Sequence, residues 1–299
     1  MIIGTIKEKN KFENRVAISP DDVKNYVKAG HQVFIEKNAG LASGFTDKSY
    51  KESGATISSS KEILKTSDII AKINCPTADE AKQLKSSSMV ISQLNTQKEI
   101  DIIKIFNSKK ISAFSLERVP RITRAQDMDI LSSQANLAGY HAVIDAAQEF
   151  NRVLPLFMTA AGKVTPANVL VVGAGVAGLQ AIATAKRLGA IVYATDVRIA
   201  SKEQVESLGG KFVMVEDEES KNAETKGGYA KEMSVEYQKK QEALLAETLK
   251  EMDIVICTAQ IPGRKAPLIL KKDMLDNMKQ GSVIVDLAVE SGGNCEYSQ

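Results

Sequence analysis

Residues 169–196 read VLVVGAGVAGLQAIATAKRLGAIVYATD. An apolar run, Val169–Val172, meets Gly173, Gly175 and Gly178. A small-residue helical stretch follows, and a second apolar run ends on Asp196. Strand, G-x-G-x-x-G turn, helix, strand and acid, in this order, are what a dinucleotide-binding βαβ unit needs. Gly173 permits the tight turn, Gly175 lets the backbone approach a pyrophosphate, and Gly178 lets the helix lie close to the strand. The helix N-terminus then offers free N–H groups to phosphate. A carboxylate at position 196 accepts from both adenosine ribose hydroxyls and repels a 2′-phosphate, so the motif reads as NAD rather than NADP. Arg198, two residues on, is the feature that pulls the other way. The plain alternative is a glycine-rich turn that packs strand on helix without a ligand.

The remaining 271 or so residues must fold around that unit. With 43% apolar and 25% charged residues, the chain has the composition of an ordinary globular protein. Lys and Arg total 39 against 37 Asp and Glu, so bulk charge does not favour nucleic acid as a partner. Cys75, Cys257 and Cys295 lie far apart with no C-x-x-C pair, which suggests a reducing compartment and gives no metal framework. Met1 leads directly into a strand-like IIGTI, so no signal peptide is expected. Ala167–Ala185 carries no charge, but its three glycines at turn spacing argue against a membrane span.

Strand and helix signals alternate through residues 1–117. Strands are expected at Ile2–Ile6, Gln32–Ile35, Asp68–Ile73, Met89–Leu94 and Ile111–Leu116, and helices at Ala78–Leu84 and Glu99–Phe106. Ser19-Pro20-Asp21-Asp22 reads as a helix start, with Ser as N-cap, Pro at N1 and acids in the first turn. Thr46 and Ser59 or Ser60 read as further N-caps. Residues 126–150 predict a long helix of small residues, suited to close packing between two bodies. A second α/β half follows, with strands at Val169–Gly173, Ile191–Asp196, Phe212–Glu216, Asp253–Thr258 and Val283–Leu287. Such alternation implies parallel sheets covered by helices on both faces. The expected fold class is α/β, with two Rossmann-like doubly wound domains at 1–120 and 121–299 and the cofactor cleft between them. The polar segment Asp217–Val235 is too long for a plain connection. It reads either as an insertion or as a lid carrying Tyr229 after a Gly-Gly hinge.

Arg121, Arg124, Gln126, Asp127 and Asp129 cluster in RITRAQDMD. They suit nicotinamide and substrate contacts at an interdomain cleft, or simply a charged turn capping the long helix. Arg15 and Lys72 sit near strand ends, placed either to hold a carboxylate or to be solvated. Of the two histidines, His31 reads as structural and His141 as a packing or interface residue. No nucleophile elbow, Walker A loop or H-E-x-x-H occurs. A nicotinamide site without a clear proton donor suits hydride transfer between two nicotinamides, which needs mainly alignment.

Three stretches, RITRAQDMDILSSQANLAGYHAVIDAAQEFNR, AAGKVTPANVLVVGAGVAGLQAIATAKRLGA and MKQGSVIVDLAVESGGNCEY, closely resemble the NAD(H)-binding first domain of the proton-translocating nicotinamide nucleotide transhydrogenases. The resemblance covers essentially the whole chain, and the RAQ-x-x-D block and GGYAKEMS are specific to it. It implies a catalytic set of Arg121, Gln126, Asp129 and Ser132. Arg121, Asp129 and Ser132 would hold the nicotinamide carboxamide and ribose, and Gln126 would point towards NADP(H) on a partner domain. It implies a cofactor set of Gly173, Gly175, Val176, Gly178, Asp196, Val197, Arg198, Tyr229, Ala259 and Gln260. Tyr229 would close over bound nucleotide, and Ala259 and Gln260 would border the nicotinamide. In that family hydride passes from NADH here to NADP⁺ on an NADP-binding domain, driven by proton flow through a membrane domain. The implied partners are those domains and a second copy of the chain, on the cytoplasmic or matrix side of a membrane.

The related alanine dehydrogenases hold a substrate carboxylate with an Arg and a Lys, which match Arg15 and Lys72. They use a His and an Asp, where this chain has Asn95 and Glu290. Lacking that His, oxo-acid amination loses its proton donor, which favours the transhydrogenase reading over a dehydrogenase; a non-catalytic NAD-binding module is the other alternative. The family also continues past NCEY to complete its first half, so an unpaired edge and exposed apolar surface are expected there.

Overall fold

The computed structural model describes residues 1–96, 99–120, 122–215, 234–260 and 264–299. The chain divides into two compact units, Met1–Ile130 and Leu131–Gln299.

In the first unit the elements run β1 (Ile2–Thr5), α1 (Pro20–Lys28), β2 (Gln32–Glu36), α2 (Asp47–Glu52), β3 (Thr56–Ser58), α3 (Ser60–Thr66), β4 (Ile69–Ala71), α4 (Ala78–Gln83), β5 (Met89–Ser92), α5 (Ile100–Ser108) and β6 (Ser112–Ser115). The strand order is β3-β2-β1-β4-β5-β6, and every pairing is parallel. Ser19, Thr46, Ser59 and Thr77 each cap a helix by accepting the N–H three residues on, and at Ser19 the Asp22 carboxylate closes a capping box. One core face gathers Ile3, Val33 and Ile35 with Val23 and Tyr50; the other gathers Ile70 and Val90 with Ile63, Leu64 and Phe106. β3 and β6 are the edge strands, and Phe114 of β6 is exposed.

The second unit runs α6 (Ile130–Glu149), β7 (Phe157–Thr159), β8 (Gly162–Val164), β9 (Asn168–Val172), α7 (Val176–Arg187), β10 (Ile191–Thr195), α8 (Ser201–Ser207), β11 (Lys211–Phe212), α9 (Val235–Leu249), β12 (Ile254–Cys257), α10 (Lys272–Leu275) and β13 (Val283–Asp286). Its parallel sheet has the order β11-β10-β9-β12-β13. The apolar run in β9 is continuous because both faces are covered. Val169 and Val171 pack with Ala142, Ala181 and Ile182, whereas Leu170 and Val172 pack with Leu245, Leu249 and Met274. Gly139 of α6 meets the backbone of α7, since a Cβ there would stand 2.1 Å from the Ala177 carbonyl oxygen. The small-residue helix is thus explained by backbone-to-backbone packing.

Three elements depart from the sequence reading. β3 has no counterpart among the expected strands, and neither does the antiparallel hairpin β7–β8. Of the strand expected over Phe212–Glu216, the described residues up to Val215 are in the sheet only at Lys211–Phe212. Beyond it, Val215 donates its N–H to Gln241 of α9 and accepts from the Tyr237 hydroxyl, so α9 side chains replace the sheet partner.

Candidate functional site

The carboxyl ends of β9, β10 and β12 converge at the glycine turn, the position where open parallel sheets bind ligands. Gly173 has φ +96°, a conformation that needs glycine. A Cβ on Gly178 would stand 1.8 Å from the Gly173 carbonyl oxygen, so the helix can approach the strand only without a side chain there. Gly175 has open space where its Cβ would be. It is the N-cap of α7 and supplies no side-chain hydrogen bond, which leaves the first-turn N–H groups of that helix uncapped by a side chain. Val176 follows at the first helical position and is exposed. These features fit a pyrophosphate lying over the turn.

Asp196 stands at the end of β10 and takes part in the turn itself. Its Oδ2 accepts the Ala174 N–H (2.8 Å), while Oδ1 accepts the Arg198 N–H (2.8 Å). The Arg198 guanidinium adds a two-pronged contact, Nε to Oδ1 and Nη2 to Oδ2, both at 2.9 Å. The acid therefore orients the glycine turn itself. The bond to Ala174 is not legible in the motif, because it links the ends of two different strands. Arg198, the apparent phosphate binder, is paired with Asp196, and Val197 lies between them.

On the β12 side, Thr258 donates its hydroxyl to the Gly173 carbonyl (2.8 Å). Ala259 packs beside Gly173, its nitrogen 3.0 Å from where a Gly173 Cβ would be. Gln260 donates its Nε2 to the Ser291 hydroxyl (2.6 Å). Asn294, which no sequence motif singles out, bonds both backbone groups of Ala259. The structure thus brings Gly173, Gly175, Val176, Gly178, Asp196, Val197, Arg198, Ala259 and Gln260 together in the second unit. Gln126 lies on a 3-10 turn, Thr123–Met128, in the first unit, and Asp129 follows it as the C-cap; Ser132 lies in the first turns of α6. Arg121 and Tyr229, with most of the segment read as a lid, lie outside the described residues.

The Arg15 and Lys72 positions are already occupied. Lys72 is only 3% exposed and its Nζ lies 3.4 Å from both Glu8 and Glu80, so it is not a solvated strand-end charge. Arg15 forms a bidentate pair with Glu13. Asn95 adopts φ +49°, and the Glu117 carboxylate accepts the N–H groups of Leu94 and Asn95. Hydrogen bonding from Arg15 holds the Glu13 carboxyl below its ordinary value, against an opposing effect of burial. A carboxyl lowered in the folded state adds stability above its unfolded value, and that stability is lost as pH falls through the folded value. Glu13→Gln is therefore expected to destabilise the chain at neutral pH by about 0.5–1 kcal/mol, a modest amount because Arg15 is half exposed. The difference between the two melting curves should shrink as pH falls through the lowered folded-state value and vanish only once the carboxyl is fully protonated; a gap that persists at full protonation would contradict this role.

Fold and site together define a two-unit α/β protein of the Rossmann type. More specifically, the chain belongs to the alanine dehydrogenase/PNT family: residues 4–138 match its N-terminal domain and 142–299 its C-terminal domain. It is 52% identical over 305 residues to the first part of NAD(P) transhydrogenase subunit alpha from Rhodospirillum rubrum, covering all of this chain and 79% of that one. The crystal structure of transhydrogenase from Sinorhizobium meliloti superimposes with a TM-score of 0.91 at 49% identity, covering all of this chain and 81% of that one. Alanine dehydrogenase of Methanococcus maripaludis is 31% identical over 300 residues, covering 99% of this chain and 74% of that one.

Proposed function

We propose that this chain is the NAD(H)-binding component of an NAD(P) transhydrogenase. In this reading the glycine turn and the first turn of α7 hold the pyrophosphate, and Asp196 takes the adenosine ribose. The Thr258–Gln260 segment borders the nicotinamide, with Arg121, Asp129 and Ser132 holding its carboxamide and ribose and Gln126 facing NADP(H) on a partner domain. Bound there, the nicotinamide would supply the hydride that NADP⁺ on the partner accepts. The protein's own task is alignment and exclusion of water. Proton translocation belongs to the membrane-spanning partner subunits, and this chain sits peripherally against them; no helix among the described residues is long and apolar enough to cross a membrane.

The observation that carries the choice between the two activities in this family is Lys72. Its ammonium group is sealed between the chain's own Glu8 and Glu80 carboxylates. An amino or oxo acid would have to break that buried cluster to bind there, which is costly. Asn95, which cannot exchange a proton at neutral pH, supports the same reading. A homodimer is supported by the β7–β8 hairpin, whose six residues are all exposed and include Phe157, Met158 and Val164. A lone two-stranded ribbon with apolar faces gains stability only when covered. Titration of the purified chain with NADH and NADPH, followed by nucleotide fluorescence, tests the site. Preferential NADH binding is expected, and no binding of either nucleotide would contradict the proposal.

A further inference from the structure

Asn294 is fully buried and engages every polar group it has. Its Oδ1 accepts the Ala259 N–H (2.9 Å), and its Nδ2 donates to the carbonyls of Ala259 and Pro267 (both 2.8 Å). Its main-chain N–H donates to Asp286 Oδ2 (2.7 Å), and its carbonyl accepts the N–H groups of Ile269 and Leu270 (both 2.9 Å). Asp286, at the end of β13, accepts further bonds from the N–H of Ala288 and of Cys295. One residue thus ties the end of β13 to both flanks of the segment that leaves β12.

The manner of binding matters. A staple for a loop needs one bond. Asn294 instead engages both the donor and the acceptor of Ala259, as a neighbouring strand would, and this fixes both the position and the direction of that residue's backbone. Ala259 in turn packs against Gly173, the first glycine of the turn. A displacement at Ala259 therefore acts first on the β12 edge of the site, whereas Asp196 holds the far side of the glycine turn through its own bond to Ala174.

We infer that Asn294 is a positioning residue for hydride transfer, acting through Ala259 to set the nicotinamide-side wall. The inference rests on the proposed reading that Ala259 and Gln260 border the nicotinamide. Reach of a hydride demands near-contact alignment, whereas the proposed pyrophosphate and ribose contacts belong to the glycine turn and Asp196, to which none of these Asn294 bonds runs. The variant should separate the two.

The test uses the full chain with its NADP-binding partner subunits. In Asn294→Ala, NADH affinity of the chain is expected to change less than about threefold, while the single-turnover rate of hydride transfer to bound NADP⁺ falls by roughly 10- to 100-fold. Asn294→Ser, which retains one short polar group, is expected to show the same split at smaller size. A role in stability alone would lower the melting temperature and leave the transfer rate of the folded fraction intact, and that result overturns the inference. Amide exchange in the unmodified chain provides a check that needs no variant to fold: the Ala259 N–H should be strongly protected, and exchange at the rate of an open loop would overturn the clamp. If the unmodified protein neither binds NADH nor transfers hydride, the proposed function itself fails. If it does both and Asn294→Ala does so equally well, only the positioning role fails.

Discussion

Replacing Asp196 with alanine is expected to weaken NADH binding on the order of 100-fold, the loss of charge-assisted hydrogen bonds amounting to about 1.5–3 kcal/mol. The size of the effect has two sources. The carboxylate supplies the proposed contacts to the adenosine ribose, and it also accepts the Ala174 N–H inside the glycine turn. Its removal strips the Arg198 guanidinium of both prongs of its contact, turning a neutralised pair into a cation without its carboxylate beside the ribose site. The variant should therefore bind NADPH better relative to NADH than the unmodified chain does. Fluorescence titration with both nucleotides reads this directly. Unchanged NADH affinity would remove Asp196 from the site and return it to a purely structural role in the turn.

Among the described glycines, Gly178→Ala is expected to have the largest structural effect of a single added methyl group. The new Cβ would stand 1.8 Å from the Gly173 carbonyl oxygen, 2.9 Å from its carbon and 3.0 Å from the Thr258 hydroxyl. The first two are backbone atoms that no side-chain rotation relieves. Helix α7 must then lift away from β9, yet its inner face, with Ala181, Ile182 and Ala185, is locked in the core between the sheet and α6. Overpacking of this kind costs about 3 kcal/mol or more. In a unit of this size that corresponds to a fall in melting temperature of roughly 6–12 °C. NADH binding should be lost as well, because the helix N-terminus moves off the turn. Thermal denaturation by circular dichroism checks the first part, and a variant that melts within about 2 °C of the parent would contradict the close approach.

Much of this architecture is legible because doubly covered parallel sheets write themselves as short apolar runs. The strands carrying the site, β9, β10 and β12, all stand out in this way, as do the caps at Ser19 and Thr46. What escapes depends on distant partners. β3 is three residues long and forms because β2 offers an edge. The β7–β8 hairpin has no clear alternation, since none of its residues is buried in the chain itself. β11 stops early because Gln241 and Tyr237, more than twenty residues on, take over its backbone partners. In the site, the glycines and Asp196 stand out by spacing. The Asp196–Ala174 bond, the sealing of Lys72 by Glu8 and Glu80, and the Asn294 clamp do not, because each joins residues that only the folded sheet brings together. Asn294 has one faint signal, a polar residue after Gly292-Gly293 where the chain must turn; both glycines have positive φ.

In the proposed function this chain presents NADH for direct hydride transfer to NADP⁺ on a partner. The most direct measurement is a rapid-mixing single turnover of the chain loaded with NADH deuterated at the transferring position, combined with NADP⁺-loaded partner subunits. The deuterium is expected in NADPH, one label per turnover and none lost to water. NADH bound with no label transferred, or oxidation of alanine with NAD⁺ in its place, would contradict it.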